Sequence, residues 1–152
     1  MSIAALIAWV VTAAGGFVLL GTWIAKGGAR TPRASNFPPA VIFGHFALAA
    51  AGLVVWIIYL VADTTVLAWI AFGLLVPVAL LGFTMLARWI PAYRARATVT
   101  TGSGGGRPGT AETGDREPAE QHFPVVVVGA HGVLALATVV LVLLSALEIG
   151  GS

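Results

Sequence analysis

Two histidines stand inside long apolar stretches of this sequence, and both occupy the same place in a repeated pattern. The pattern reads Phe-Pro, six residues, His, two residues, Leu-Ala, and it occurs around His45 and again around His131. Neutral imidazole is a good ligand for iron, copper, nickel and zinc ions. An ionisable residue inside a membrane span is by default a candidate functional site. The repeated spacing therefore indicates that the two histidines form one paired site.

The composition is that of an integral membrane protein. The chain has 152 residues, of which 59% are hydrophobic and only 9% are charged, whereas a soluble domain usually carries about 25% charged residues. Its apolar runs reach the roughly 20 residues that a helix needs to cross a bilayer. They predict an all-α transmembrane four-helix bundle with spans at about 3–25, 39–62, 65–88 and 123–147.

The connections between the spans differ greatly in length. Only Asp63 and Thr64 separate the second span from the third, so those two helices must be antiparallel neighbours. The third span is expected to end at Arg88 to Pro91. Residues 97–121 are rich in Gly, Ser, Thr, Pro and charged residues. Such a segment cannot bury enough apolar surface to offset the entropy lost on ordering, and it is therefore predicted to be a flexible linker.

The charge distribution predicts the orientation of the chain in the membrane. All eight basic residues lie within residues 26–33 and 88–116, whereas the opposite side carries Asp63 and Glu148 beside the termini. Short loops that are rich in Lys and Arg stay in the cytoplasm. We therefore expect a multi-pass protein of the bacterial plasma membrane, with both basic loops cytoplasmic and both chain termini outside.

The repeat extends beyond the histidines. Trp23-Ile24 and Trp89-Ile90 end the first and third spans, and basic residues follow each pair. The chain thus reads as two tandem helical hairpins related by a pseudo-twofold axis along the membrane normal, a parallel repeat of the kind found in transporters. A histidine seven residues after the initiating proline lies about 10 Å along its helix, which predicts equal depths for His45 and His131. With neighbouring helices 8–10 Å apart, the diagonal between their two helices is on the order of 11–14 Å.

A flat cofactor between the two imidazoles is the first hypothesis, namely haem b with His45 and His131 as axial ligands. The chain has no cysteine, so the haem would be held without a covalent bond. Arg88, Arg94 and Lys26 are the cations that could meet its propionates. Small residues around the histidines leave space for a macrocycle: Gly44, Ala47, Gly129, Ala130, Gly132 and Ala135.

Two other interpretations of the histidines stay open. Each could make a structural hydrogen bond across the bundle, which contributes only about 0.6 kcal/mol on average. The pair could also bind a metal ion, transfer protons or bind a quinone. A catalytic zinc site is disfavoured because it needs three protein ligands, and the spans offer two histidines and no carboxylate. The third histidine, His122, is expected to be a solvated interface residue.

The segment from Phe123 to Ala135, with the closing Leu-Val-Leu-Leu-Ser-Ala-Leu at residues 141–147, resembles a group of small four-span membrane proteins from high-GC Gram-positive bacteria. That resemblance implies a four-span topology. The paired histidines are also similar in arrangement to the bis-histidine b-type membrane cytochromes, which implies haem binding and electron transport.

The sequence therefore favours a small membrane cytochrome of b type that transfers electrons and is not an enzyme on its own. Since one haem cannot by itself carry electrons across about 30 Å of hydrocarbon, a quinone, a larger membrane complex or a second protomer is expected to act with it. The alternative is a non-catalytic accessory or scaffold subunit with a structural histidine pair. No basic aromatic patch suggests binding to nucleic acid.

Overall fold

Four apolar helices make up most of the chain, in agreement with the predicted fold class. The computed structural model describes residues 1–30, 35–101 and 118–149, with the backbone alone at 95–101. No strand occurs within these described residues. The helices are α1 (Ser2–Ala25), α2 (Pro39–Ala62), α3 (Thr65–Thr101) and α4 (Val125–Ala146), and a short 3-10 helix (Ala119–His122) precedes α4.

Each of the four helices contains a segment long and apolar enough to cross a membrane, and in α3 that segment is Thr65–Arg94. The protein is therefore a multi-pass membrane protein. Pro39 is the first residue of α2, and Pro124 directly precedes α4. A proline fits there because its fixed φ suits a helix start and its missing N–H would have no intrahelical acceptor.

The turn between α2 and α3 is as tight as the sequence predicts. Asp63 adopts the left-handed conformation (φ 49°, ψ 41°), and its N–H donates to the carbonyl oxygen of Tyr59 at 2.9 Å. Aspartate tolerates this conformation better than most residues do. The chain therefore reverses direction within two residues, and α3 runs antiparallel to α2.

The third helix is longer than predicted, because it continues past Pro91 as far as Thr101. Residues 87–97 include four alanines and three arginines, which have high helix propensity. Trp89 and Ala92 are also buried there, each with 8% exposure, so packing holds the helix beyond the proline. The helix therefore continues beyond Arg88, where the sequence predicts the end of the span.

Helical residues occupy both ends of the linker that the sequence predicts at residues 97–121. Its first residues belong to α3, and its last ones form the 3-10 helix, in which Ala119 and Glu120 have no exposed surface. Residues 102–117, the centre of that predicted linker, lie outside the described part of the chain.

The helices form a square in which α2 and α4 occupy opposite corners, as expected. The closest pairs are α2 with α3 and α1 with α4, whereas α1 and α3 do not approach each other. A twofold rotation that exchanges α1 with α3 and α2 with α4 also exchanges these two closest pairs. The two closest pairs are therefore related as the repeat predicts, whereas α3 packs more closely on α4 than α1 does on α2.

Two separate apolar clusters lie along the bundle. We call the end that carries residues 26–30, 35–37, 88–94 and 118–124 the basic end, and the other the opposite end. The cluster at the opposite end contains Ala5, Trp9, Trp56, Ala68, Ala71, Leu75, Val142 and Ala146. The cluster at the basic end contains Trp23, Phe37, Ile42, Trp89 and Ala119. The two histidines lie in the layer between the clusters.

A fully buried carboxylate closes the basic end. Glu120 accepts a hydrogen bond from the hydroxyl of Ser35 at 2.7 Å and another from the N–H of Asn36 at 2.8 Å. The indole N–H of Trp23 donates to the Ser35 oxygen at 2.9 Å. The indole N–H of Trp89 donates to the carbonyl oxygen of Glu120 at 3.1 Å. These bonds join the two halves of the chain, and we call the 3-10 helix with its partners the cap.

We predict that Glu120→Ala strongly destabilises the protein. The substitution removes the charged acceptor of two part-buried donors, the Ser35 hydroxyl and the Asn36 N–H, and hydrogen bonds to charged groups contribute about 1.5–3 kcal/mol each. The matched control is Glu148→Ala at the opposite end, since that exposed carboxylate accepts one hydrogen bond, from Thr65. Thermal unfolding in mild detergent, followed by tryptophan fluorescence, measures both. Equal losses of thermal stability in the two variants would contradict the assigned role of Glu120.

Candidate functional site

The two predicted histidines meet in the middle of the bundle. Their ring centroids are 6.3 Å apart and their planes are inclined by 54°. Both side chains are half-buried. They come from the diagonal helices α2 and α4, so each imidazole projects inward across part of the diagonal. The structure thus brings His45 and His131 together at one depth, as their spacing predicts.

Each imidazole is tied to the backbone of the helix that packs most closely on its own. The Nδ1 atom of His45 lies 2.9 Å from the carbonyl oxygen of Val78 in α3, and the Nδ1 atom of His131 lies 2.9 Å from that of Thr12 in α1. A carbonyl oxygen can only accept, so both Nδ1 atoms carry the proton and donate it. The lone pair of each neutral ring is therefore on Nε2.

No hydrogen bond to either Nε2 atom occurs among residues 1–30, 35–101 and 118–149. Histidines that bind metals almost always donate their other ring N–H to a carbonyl, a carboxylate or water, which fixes the tautomer and the ring orientation. Both histidines have this arrangement, with Nε2 as the available ligand atom.

Two glycines explain how the rings reach these carbonyls. Gly16 and Gly82 lie four residues after Thr12 and Val78, which is where a helical carbonyl points. A Cβ added at Gly16 would lie 3.2 Å from Cε1 of His131, and one at Gly82 would lie 3.4 Å from Cε1 of His45. A side chain at either position would crowd the imidazole that now lies over the glycine.

The contacts of the two histidines with Thr12, Val78 and the two glycines follow the sequence repeat. If Trp23 corresponds to Trp89, the same offset relates Thr12 to Val78 and Gly16 to Gly82. The sequence analysis missed these four residues as parts of the site. The signal that could have found them is the alignment of the first and third spans on their Trp-Ile pairs.

The separation of the rings suits one metal ion. Two imidazoles on opposite sides of an ion, with metal–nitrogen bonds of about 2.0–2.1 Å, place their ring centres roughly 6 Å apart. No group of three or more His, Cys, Asp or Glu residues that could hold an ion occurs in the described residues. Two histidine nitrogens are therefore the ligand atoms that the described residues bring together here.

The three glycines that were predicted to surround the histidines differ in their surroundings. Gly129 and Gly132 are exposed, and a Cβ added at either would meet nothing within 4 Å. Both face away because a helix turns by about 100° per residue, so positions one and two residues from His131 point in other directions. Gly44 is half-buried, and its added Cβ would contact Leu81 at 4.0 Å.

The predicted cations lie at the basic end. Arg88 donates to the carbonyl oxygen of Asn36 at 2.9 Å, and Arg94 and Lys26 are exposed. The buried cluster that contains Trp23 separates this end from the histidine layer. The structure therefore does not bring these cations to the rings, and their assignment to haem propionates stays a prediction.

Comparison of the chain with protein-family models, with curated proteins and with solved structures found no match. A four-helix bundle serves many functions, so the function of this protein has to be inferred from the geometry and chemistry of the histidine site.

We predict opposite effects for two alanine substitutions in α1. Gly16→Ala displaces the His131 ring from the Thr12 carbonyl and destabilises the protein by about 1–3 kcal/mol through overpacking. Gly21→Ala is the control, because its added Cβ meets nothing within 4 Å. It gains up to about 1 kcal/mol from helix propensity. Thermal unfolding in detergent compares them, and stabilisation of both variants would refute the close contact at Gly16.

Proposed function

We propose that this protein is a small b-type cytochrome of the membrane, in which His45 and His131 hold one haem through their Nε2 atoms and the haem transfers electrons. One observation carries the proposal. Both histidines donate Nδ1–H to a backbone carbonyl, and their ring centres are 6.3 Å apart. This pairing leaves two Nε2 lone pairs in one layer of the bundle for a shared ligand.

Haem fits this donor set better than a bare metal ion does. A porphyrin supplies four nitrogens to its iron, so the protein needs to add only the two axial ligands. Held by His45 and His131, the haem would supply one-electron transfer rather than oxygen binding. Electron transfer is accordingly the chemistry that we assign.

The construction of the bundle supports a cofactor at this depth. The apolar core consists of two clusters, and the histidine layer separates them. Gly16 and Gly82 bring bare backbone to the rings in the same layer. The glycines thus position both imidazoles, so that the two ligand atoms lie at the same depth for a shared cofactor.

The positive-inside rule supports an orientation for the site. It would place the basic end in the cytoplasm and both termini outside, in a bacterial plasma membrane. The histidines would then lie in the cytoplasmic half, since they are only about 10 Å along their helices from that end. A partner such as a quinone or a larger membrane complex would complete the path of the electron.

The absorption spectrum of the purified protein tests the proposal. In mild detergent we expect a Soret band, with sharp α and β bands after reduction by dithionite. His45→Asn and His131→Asn should both lose the low-spin spectrum, because asparagine keeps an N–H donor close to the position of Nδ1 and has no imidazole ligand. His122→Asn, at the end of the 3-10 helix, is the control and should keep the spectrum.

A colourless protein that shows no low-spin spectrum after reconstitution with excess haemin would refute haem binding. Loss of the spectrum in His122→Asn alone would place the haem elsewhere in the chain.

A second function is favoured by the same two hydrogen bonds, namely a non-catalytic accessory or scaffold subunit. The bonds from His45 to Val78 and from His131 to Thr12 join the two closest pairs of helices. In that case the histidines act only as links between helices.

Stability measurements distinguish the scaffold from the cytochrome. For a scaffold, we predict that His131→Asn retains most of the thermal stability of the wild-type protein. His131→Leu should lose about 0.6 kcal/mol or more, because it removes the interhelical donor. For a cytochrome, both substitutions remove the stabilisation that bound haem provides. Unfolding curves recorded with and without added haemin separate the two results.

A further inference from the structure

Two aromatic rings meet on one lateral face of the bundle at the depth of the histidines, one turn of α2 away from the contact between Trp23 and Phe43 that also joins α1 to α2. Phe17 follows Gly16 in α1, and Phe46 follows His45 in α2. Their rings meet edge to face with centroids 5.5 Å apart. Both are lipid-facing, with 58% and 40% of their surface exposed. Of the four neighbouring helix pairs, α1 and α2 are packed least closely.

Both ends of the bundle are closed by large buried side chains. At the basic end, Trp23 and Glu120 have no exposed surface, and the cap links them by hydrogen bonds through Ser35. At the opposite end, Trp9 and Trp56 are 4% and 0% exposed, with ring centroids 6.5 Å apart. A ligand that reached the histidines along the bundle axis would have to displace one of these clusters.

The face between α3 and α4 is built differently. The offsets of the repeat relate Phe17 to Phe83 and Phe46 to Gly132. Phe83 is 65% exposed and makes no ring contact with another aromatic residue in the described part of the chain. The helices α3 and α4 also pack more closely than α1 and α2 do. The two faces therefore differ. At the face between α1 and α2, rotation of the Phe17 and Phe46 side chains would uncover the histidine layer.

We propose that the Phe17–Phe46 pair is a lateral gate through which haem enters the histidine site from the bilayer. The inference rests on the proposed haem function. Haem has a planar apolar body with two carboxylates at one edge, so it partitions into the lipid–water boundary as other amphipathic molecules do. Rotation of two exposed rings opens a slot between α1 and α2 beside Gly16 and His45. The buried clusters at both ends stay intact during this passage.

The rate of haem uptake tests the gate. Full-length apoprotein in lipid nanodiscs is mixed with haemin, and growth of the Soret band is followed by stopped-flow absorbance. Phe17→Ala and Phe46→Ala each remove the edge-to-face contact, so uptake should accelerate between about twofold and tenfold. The final absorbance should equal that of the wild type, because neither ring binds the iron. Phe17→Trp enlarges the seal and should slow uptake.

Phe83→Ala is the matched control, since it makes the same substitution at the related position of α3 and should leave the rate unchanged. Equal rates in Phe17→Ala and Phe83→Ala, with full final absorbance, would overturn the gate and leave haem binding intact. Acceleration by Glu120→Ala alone would also overturn the gate, because it would point to uptake through the cap. Absence of any Soret band in the wild type would refute both the gate and the proposed haem function.

If Phe46→Ala does not fold, Phe46→Leu keeps the apolar volume without the ring contact, and an unchanged rate in that variant counts against the gate.

Discussion

An imidazole inside hydrocarbon must find its hydrogen-bond partner within the protein, because no water is available to satisfy its N–H. This requirement determines the arrangement at the centre of the bundle. His45 and His131 each donate to a backbone carbonyl of the adjacent helix. The same bond that satisfies Nδ1 also determines where Nε2 points. The relative rotation of α2 against α3 and of α4 against α1 is thus linked to the direction of both ligand atoms.

Gly16 and Gly82 make these two hydrogen bonds possible. A helical carbonyl already accepts the N–H of the residue four positions later, and a second donor has to approach over that residue. Gly16 and Gly82 occupy those positions and have no Cβ to block the ring. The repeat relates Gly16 to Gly82, so each half of the chain holds one imidazole over a glycine in the same way. The rings of His45 and His131 then meet near the pseudo-twofold axis. The symmetry ends at the cap, where Glu120 of the second half binds Ser35 and Asn36 of the first.

The structure differs from two of the sequence-based expectations for specific physical reasons. Pro91 suggested the end of α3, but the buried side chains of Trp89 and Ala92 hold the helix together on both sides of it. Gly129 and Gly132 were assigned to the site because they are close to His131 in sequence. Closeness in sequence does not place residues on the same face of a helix, since neighbours three or four positions apart share a face and those one or two apart do not.

The sequence by itself determined that four apolar helices cross the membrane and that two histidines share one depth. Hydrophobic length, the Phe-Pro starts of α2 and α4 and the repeated spacing are local properties, and they suffice for those conclusions. Only the tertiary structure decided that the rings face each other, which carbonyls hold them and which glycines make room. These features depend on how far each helix is rotated about its own axis. That rotation is set by packing between segments distant in sequence, such as Thr12 with His131, and no local pattern specifies it.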